Sequence, residues 1–404
     1  MSLNLLPDPE FGPPRGTDSA VIRFPGKAVP RLHLSPPHLA GGEMEALRET
    51  LDSGWVAPAG PMLPAFEAAV SRATGFSHVA AVASGTAALH LGYRVLDLAP
   101  GDEVWTSTLT FVATIAPAVQ MGATPRFLDV DPGSWTMDPN VLRTALQAAA
   151  ARGRLPRMVV PVDLYGQCAD LEPIVAACDR WGVPVMSDSA EALGALHRGR
   201  QAGAGARLAV FSFNGNKIIT AGGGGVLCSE DEHLVARARF LGSQAKETAA
   251  HYQHETTGYS YGLSSVLAAV GLAQLSALDS RVSARRAIFQ RYVTGLHDLP
   301  GLTFMPEPAW GRSTRWLSVI MIDPHGFGAE REAVRRALEL IGIESRPVWK
   351  PLHLQPAFRG ASLFGNAGVA TSLFERGLCL PSGSGMEPAQ QARVIEAIRG
   401  CWRG

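Results

Sequence analysis

A lysine in an unusual setting is the first residue of this sequence that could do chemistry. Lys217 lies just beyond the apolar segment Leu208–Phe213, in a polar turn, and a run of glycines at positions 222–225 follows it. Desolvation or nearby cations favour the neutral amine of such a lysine, which can then attack a carbonyl carbon. Ser212, five residues earlier, could bind a phosphate. Taken alone, the sequence around Lys217 favours an ordinary exposed loop lysine over a catalytic one. A nucleotide P-loop is excluded because the glycines follow the lysine.

An acidic residue has a comparable position at the end of an apolar run. Asp188 comes two residues after the run Val183–Met186. In an open α/β sheet the carboxyl ends of the strands face the ligand. A carboxylate there can keep the ring nitrogen of pyridoxal phosphate protonated, so that the ring accepts electrons from a substrate carbanion. The sequence agrees equally well with an aspartate that caps a helix over residues 190–196.

Two further segments could complete a cofactor site. Gly85 and Thr86 stand between a predicted strand and a predicted helix, where free N–H groups at a helix N-terminus bind phosphate. An ordinary helix cap would give the same sequence. Phe111 could lie against a planar ring, or it could be a core residue. The order along the chain, a phosphate turn, an aromatic ring, an acid, then a serine and a lysine, favours one shared site.

The elements that must position these residues alternate between strand and helix. Helical stripes, such as the one over residues 171–181, separate short apolar runs. The seven runs are Val79–Ala83, Val104–Thr106, Arg126–Val130, Met158–Val162, Val183–Met186, Leu208–Phe213 and Gly225–Cys228. This pattern predicts an α/β fold with a large domain, in which a mostly parallel seven-stranded sheet lies between helices.

The pattern changes after about residue 265. Apolar positions from Leu267 to Leu296 predict a long helix that links two lobes. A strand over 316–322 and a final amphipathic helix predict a smaller C-terminal α+β domain, and the first residues are rich in proline and glycine. We therefore predict a mobile N-terminal tail over residues 1–24, a large cofactor-binding domain over 25–270, and a small domain with its connecting helix over 271–404.

The composition narrows the range of partners. The 404 residues are 46% hydrophobic and 18% charged, and 36 basic residues balance 36 acidic ones. A net charge of zero gives no electrostatic reason to expect nucleic acid or an anionic membrane as a partner. The five cysteines include no C-x-x-C pair, and no apolar leader or membrane span is present in the sequence. We predict reduced thiols, no bound metal and a cytoplasmic location.

Many ordered motifs together identify a family. From about Leu32 to the C-terminus, the sequence resembles the DegT/DnrJ/EryC1/StrS aminotransferases, which belong to the fold-type-I, aspartate-aminotransferase-like superfamily. The resemblance implies pyridoxal 5′-phosphate (PLP, or PMP in its aminated form) as the cofactor. The motifs that carry it are residues 53–56, 60–61, 84–89, 101–104, 110–114, 129–132, 164–167, 211–217, 258–259 and 351–355.

The resemblance implies a role for each matching position. Lys217 matches the lysine that holds the cofactor as a Schiff base, and Asp188 matches the partner of the pyridine nitrogen. Phe111 matches the aromatic residue that stacks on the ring, and Glu191 falls beside the cofactor hydroxyl and the substrate. Family members are homodimers with shared sites, in which the segment at 258–259 reaches the neighbour's cofactor phosphate. The phosphate-binding positions match Gly85, Thr86 and Ser212.

Near residue 260 the sequence departs from the family pattern. The family reads Gly-Tyr-Asn-Tyr-Arg there, and Ser260 and Gly262 replace its asparagine and arginine. Ser260 is shorter than asparagine but can still donate a hydrogen bond, so we assign it to the neighbour's cofactor phosphate. Ser187 and Ser189 replace the usual glutamate and alanine around Asp188.

The resemblance implies a ping-pong transamination from an amino donor, L-glutamate, to a nucleotide-linked keto sugar. Residues 213–217 and 373–383 look most similar to the branch that acts on UDP-linked N-acetylated 4-keto-6-deoxyhexoses. A dTDP- or GDP-linked keto sugar is the alternative substrate, and a non-catalytic PLP-binding regulatory protein is the alternative function. A related dehydratase has histidine in place of Lys217, and a nicotinamide enzyme needs a G-x-G-x-x-G turn that residues 84–88 lack.

Overall fold

Short apolar segments and amphipathic segments alternate through residues 31–366 and 368–403, which the computed structural model describes. The predicted tail over residues 1–24 lies outside these described residues. The helices are α1 (Glu43–Asp52), α2 (Met62–Thr74), α3 (Gly85–Val95), α4 (Ala116–Gln120), α5 (Pro139–Ala150), α6 (Leu171–Asp179), α7 (Glu232–Gly242), α8 (Ser265–Leu275), α9 (Leu278–Leu296), α10 (Pro324–Phe327), α11 (Arg331–Leu340), α12 (Gly368–Arg376) and α13 (Pro388–Arg399). The strands are β1 (His78–Val82), β2 (Glu103–Ser107), β3 (Thr124–Leu128), β4 (Met158–Val160), β5 (Met186–Asp188), β6 (Leu196–His197), β7 (Arg200–Gln201), β8 (Leu208–Ser212), β9 (Gly225–Ser229), β10 (Leu302–Phe304), β11 (Gly311–Arg312), β12 (Ser318–Ile322), β13 (Arg346–Pro347), β14 (Ser362–Phe364) and β15 (Gly377–Leu380).

The predicted sheet forms, and it is mostly parallel. Its strands follow the order β14-β3-β2-β4 and then β5-β8-β9-β1. Two parallel bridges, Val159 to Val185 and Val162 to Asp188, join the two halves. All neighbours are parallel except β9, which is antiparallel to both β8 and β1. The seven predicted strands are all present, and β14 adds an eighth from the C-terminal part of the chain.

Both faces of this sheet are buried, which explains why its strands are apolar throughout. In β1, Val79 and Ala81 pack into a core with helices α2 and α9. The alternate residues Ala80 and Val82 face a second core, with α3 and α7. Successive side chains of a strand point to opposite faces, so a strand covered on both sides needs apolar residues at every position.

Several boundaries differ from the predictions, and two of these differences have a clear structural reason. The strand predicted over Val183–Met186 lies at Met186–Asp188, because the chain only enters regular pairing with β8 at Met186. The single long helix predicted from Leu267 to Leu296 is two helices, α8 and α9. The backbone leaves the helical ladder at Ala277, whose N–H bonds the carbonyl of Gln274, only three residues earlier.

The C-terminal part of the chain contains the smaller sheet that was predicted. Strands β10, β12, β15 and β13 form an antiparallel sheet in that order, and α11 and α13 contribute Val334, Leu338, Val394 and Ile398 to its core. The boundary at residues 270 and 271 stays a prediction, since the chain from Leu32 onward forms one compact unit. Within the described residues, every helix is too short or too polar to span a bilayer.

Candidate active site

The turn between β1 and α3 is built as an anion site. Ser84 caps the helix, because its side-chain oxygen accepts the N–H of Ala87 at 3.0 Å. The N–H groups of Gly85 and Thr86 lie in the first turn, where no helical carbonyl is available to them. Ser212 ends β8 directly beside this turn, and a Cβ at Gly85 would lie 3.1 Å from the Ser212 Cβ. A helix N-terminus next to a hydroxyl can bind a phosphate.

A second close approach keeps this turn in place. A Cβ at Gly225, the first residue of β9, would lie 2.5 Å from the backbone nitrogen of Gly85. Only glycine allows β9 to run this close to the turn, because real Cβ atoms do not tolerate such a distance. The glycine run that the sequence placed after Lys217 therefore serves backbone packing at the phosphate turn.

Lys217 reaches the same cavity from a tight turn after β8. Its backbone N–H bonds the carbonyl of Asn214 at 3.0 Å. Its amine lies 3.8 Å from the Glu191 Oε1 and 4.4 Å from the centre of the Trp316 ring. The side chain is largely buried, so its amine faces the cavity and not bulk solvent.

Asp188, the last residue of β5, is almost fully buried. Its Oδ2 accepts the hydroxyl of Thr114 at 2.7 Å, and its Oδ1 accepts the N–H of Ala190 at 3.2 Å. Thr110 extends this network, since the Oγ1 atoms of Thr110 and Thr114 are 2.8 Å apart. Burial raises the pKa of Asp188, while the Thr114 hydroxyl, the Ala190 N–H and the charge of Lys217 oppose the rise. A cationic ligand group would therefore be strongly favoured beside this carboxylate.

Glu191 lies three residues further, in an irregular turn and not in the helix that a capping aspartate would begin. Its Oε2 accepts the N–H of Tyr165 at 2.9 Å. Burial raises the pKa of Glu191, and the Lys217 charge and the Tyr165 N–H act against that rise. The two carboxylates thus share one cation, Lys217, which leaves excess negative charge among buried groups.

Aromatic rings form the remaining wall. Phe111 follows β2 and is 50% exposed, so it is not the core residue that its sequence also allowed. Its ring centre lies 5.3 Å from that of Trp349. The cavity has a volume of about 390 Å³, which is within the range of small-molecule sites.

The structure brings together seven of the eight residues that the sequence predicted. These are Gly85, Thr86, Phe111, Asp188, Glu191, Ser212 and Lys217. Ser260 does not line the cavity of its own chain and is exposed. Its assignment to the neighbour's phosphate therefore stays a prediction. The unusual Gly262 has a steric reason, because a Cβ there would lie 2.6 Å from the Pro58 Cβ.

Sequence reasoning gave no role to three residues of the site. Thr114 lies in the motif at 110–114, but its hydrogen bond joins it to Asp188, 74 positions away, so nothing in the neighbouring sequence indicates this role. Trp316 and Trp349 come from the C-terminal half and line the cavity beside Lys217. The only available hint was position, because Trp316 begins the strand predicted over 316–322 and Trp349 comes two residues before the motif at 351–355.

Comparison with known proteins decides the family. The profile of the DegT/DnrJ/EryC1/StrS aminotransferase family matches residues 37–399. The chain belongs to this family. Bacillus subtilis EpsN, named as a pyridoxal phosphate-dependent aminotransferase, is 47% identical over 371 residues, which are 91% of this chain and 95% of EpsN. GDP-perosamine synthase of Caulobacter vibrioides is 33% identical over 92% of this chain and 98% of its own length. The crystal structure of the aminotransferase TlmJ from Streptoalloteichus hindustanus superposes with a TM-score of 0.83, at 31% identity, and covers 92% of this chain and 99% of TlmJ.

The protein is therefore a PLP-dependent sugar aminotransferase of the DegT/DnrJ/EryC1/StrS family, with the fold-type-I architecture that the sequence predicted. The cavity fits the cofactor. The α3 N-terminus with Ser212 suits a phosphate, and the buried Asp188 carboxylate suits a protonated ring nitrogen. The Lys217 amine and the exposed Phe111 ring lie in the same cavity, where they can meet an aldehyde and a planar ring.

Proposed function

We propose that the protein transfers an amino group from L-glutamate to a UDP-linked N-acetylated 4-keto-6-deoxyhexose, and so makes an amino sugar for glycan or secondary-metabolite synthesis. The observation that carries the proposal is the single cavity in which Lys217, Asp188 and the phosphate turn meet. PLP supplies the electron-accepting ring of the reaction when it is bound. All other contributions come from side chains of the chain itself.

Lys217 carries two tasks in this proposal. Its amine attaches the cofactor and, once released, takes up the α-proton of the amino donor and returns it during transfer. Glu191, 3.8 Å away, holds the positive charge of that amine when it has taken up the proton. Asp188 holds the proton on the ring nitrogen, and Thr114 holds Asp188 in place. Gly85, Thr86 and Ser212 would bind the phosphate, and Phe111 would supply an aromatic contact to the ring.

A second cavity supports a large second substrate. Its volume is about 830 Å³, and it shares Thr110, Phe111, Asn216, Trp316 and Trp349 with the first. A ligand that fills both cavities is therefore larger than an amino acid. We propose that the sugar lies at the shared wall and that the nucleotide occupies the second cavity.

The lining of the second cavity suits a nucleoside diphosphate. Lys350 and Arg346 provide cations for the phosphates, and Phe374 and Trp349 provide ring faces for a base. Arg346 is held by Glu344 at 2.9 Å, but the ammonium of Lys350 has no ion-pair partner among residues 31–366 and 368–403. We propose Lys350 as the main anchor of the diphosphate.

The choice of UDP rests on the likeness of residues 213–217 and 373–383 to the UDP-sugar branch. GDP-linked and dTDP-linked keto sugars are the competing substrates, and the likeness to GDP-perosamine synthase favours keeping GDP in the test. Purified enzyme, first aminated with glutamate, should be mixed with UDP-, dTDP- and GDP-linked 4-keto sugars in parallel. We expect the UDP-linked sugar to give the amino-sugar product by mass and NMR, with the highest kcat/KM. Faster turnover of the GDP- or dTDP-linked sugar would overturn the UDP assignment.

The role of Lys350 is tested in the same assay. Lys350→Ala should raise the KM for the nucleotide sugar and leave the reaction with glutamate unchanged, because glutamate carries no diphosphate. Arg336→Ala, which removes an exposed cation on α11, is the matched control. An unchanged KM in Lys350→Ala would contradict the placement of the nucleotide.

We also propose that the enzyme is a cytoplasmic homodimer whose sites lie near the subunit interface. Five large hydrophobic side chains within residues 39–56 each expose between 46% and 68% of their surface: Leu39, Met44, Leu51, Trp55 and Val56. Several large exposed apolar side chains within one segment suit a surface that a second subunit covers. The exposed Phe111 at the cavity mouth has the same character.

Light scattering after size exclusion tests the dimer. We expect a dimer for the wild type and a monomer for the double variant Leu51→Asp/Trp55→Asp, and a monomeric wild type would refute the proposal.

Ser260 is tested by co-expression of Lys217→Ala with Ser260→Asp, whose charge should repel the phosphate. If Ser260 serves the neighbouring subunit, mixed dimers contain one intact site and regain activity. No regain in confirmed mixed dimers would place Ser260 outside the neighbour's site.

A further inference from the structure

A third carboxyl group lies behind the site, where the proposed reaction does not use it. Asp163 is 2% exposed, and its backbone N–H bonds the carbonyl of Asp188 at 3.0 Å. Val162 and Asp188, which are bridged to each other, both line the cavity. Side chains alternate along extended backbone, so Asp163 and Ser189, each one residue later, point to the opposite side. Asp163 therefore faces the protein interior directly behind Asp188.

The surroundings of Asp163 do not suit an anion. Its Oδ1 accepts the N–H of Ala169 at 2.8 Å, but its Oδ2, although buried, has no hydrogen-bond partner. Asp163 forms no ion pair with any residue that the structure describes, whereas Glu191 has Lys217. A buried carboxylate with one unpaired oxygen and no cation is costly, and a neutral carboxyl costs much less.

The charge balance of the strand ends leads to the same conclusion. This part of the structure holds three buried carboxyl groups, Asp163, Asp188 and Glu191, but one ammonium group, Lys217. The titratable groups that face Asp163 are Asp188, Glu191 and the Cys168 thiol, none of which supplies a positive charge. Two of the carboxyls have a partner in the reaction, and Asp163 has none. One proton on Asp163 lowers this excess from two negative charges to one without disturbing either of the others.

We propose that Asp163 is a positioning residue that holds a proton in the working enzyme, so that Asp188 alone presents a negative charge to the cofactor ring. Burial raises the pKa of Asp163 to about 7, and the charges of Asp188 and Glu191 add to the rise, while Ser189 and the Ala169 N–H oppose it. Asp163 thus ionises near pH 7. Its new charge then strengthens the hold on protons in the cavity, so the electrostatics of the site change with pH.

Infrared difference spectra of the apoprotein test the proton directly. Asp163→Asn is isosteric with the protonated side chain and keeps an acceptor for the Ala169 N–H, so we expect it to fold. Wild type minus variant at pH 6 should show the carbonyl band of a protonated carboxyl, and this band should disappear with a midpoint near pH 7. The absence of that band at pH 6 would overturn the proposal. Asp170→Asn, at the partly exposed partner of His197, is the control that should leave the band unchanged.

A pH titration of the holoenzyme tests the effect on the site. The visible absorption of the bound cofactor should titrate at lower pH in Asp163→Asn than in wild type, because the variant lacks the additional charge above pH 7. Below pH 6 the two spectra should coincide. Identical titrations would refute the link between Asp163 and the cofactor. The infrared measurement needs neither cofactor nor substrate, so it is independent of the proposed sugar.

Discussion

The hydrogen bond from Thr114 to Asp188 allows a quantitative prediction. Its length is 2.7 Å, and both side chains are almost fully buried. Thr114→Val keeps the shape of the side chain and removes the donor. Without the donor the Asp188 carboxylate is less stable as an anion, so it takes the proton back from the ring nitrogen more readily.

The magnitude follows from the charge of the acceptor. A hydrogen bond to a charged group contributes about 1.5–3 kcal/mol, and about 1.4 kcal/mol corresponds to a tenfold change in rate. We therefore expect the glutamate reaction to slow by roughly 10- to 150-fold in Thr114→Val. The cofactor should still bind, because Lys217 and the phosphate turn are unchanged.

Single-turnover kinetics measure this effect. The holoenzyme is mixed with saturating glutamate in a stopped-flow instrument, and the loss of visible absorption is followed. Thr114→Ser, which restores a donor, should recover most of the rate. Thr144→Val, which removes an exposed hydroxyl bonded within α5, is the matched control. A Thr114→Val rate equal to that of the wild type would refute the role assigned to this bond.

Three further predictions concern the packing and charges around the site. Gly225→Ala should weaken PLP binding in a titration of the apoenzyme, because its Cβ would lie 2.5 Å from the Gly85 nitrogen. Gly42→Ala is the control, since nothing lies closer than 3.8 Å to a Cβ there, and equal PLP affinities of the two variants would contradict the close approach. Phe111→Leu should raise the PLP dissociation constant roughly 2- to 10-fold, the value of an aromatic contact, and no change would mean that the ring does not touch the cofactor. The pKa of Asp163 is raised from 3.8 to about 7 on folding, so the native state binds the extra proton and the contribution of Asp163 to the stability of the apoprotein falls as pH rises from 4 to 7. Asp163→Asn should not show this loss, which is on the order of 4 kcal/mol at about 1.4 kcal/mol per pKa unit. Melting temperatures of wild type and variant that change in parallel from pH 4 to 8 would contradict this prediction.

The strands were predictable because burial on both faces leaves a pattern in the sequence of each strand. A strand covered on both faces, such as β8, is apolar at every position and stands out from the amphipathic helices around it. The eighth strand, β14, was missed because its three residues are partly exposed and gain their pairing from β3, more than 230 positions away. The break between α8 and α9 was missed because the helical periodicity continues across Ser276 and Ala277.

Much of the site was also predictable, because several of its residues lie at strand ends. Asp188 and Ser212 end strands and Lys217 follows one, and the order of strands in a doubly wound sheet brings such positions to one edge. Thr114 and Trp349 were not predictable, because their roles depend on contacts with distant segments. Ser260 could not be placed from one chain, since its predicted contact is with a neighbouring subunit.

The visible spectrum of the purified protein tests the central claim, that Lys217 carries the cofactor and mediates amino transfer. With added PLP, the wild type should develop the absorption of a covalently bound cofactor and should lose it when glutamate is added. Lys217→Ala should show neither change, while Lys246→Ala, at a surface lysine beside Tyr252, should behave as wild type. A wild-type protein that stays colourless with PLP, or a Lys217→Ala variant that responds to glutamate as wild type does, would contradict the account.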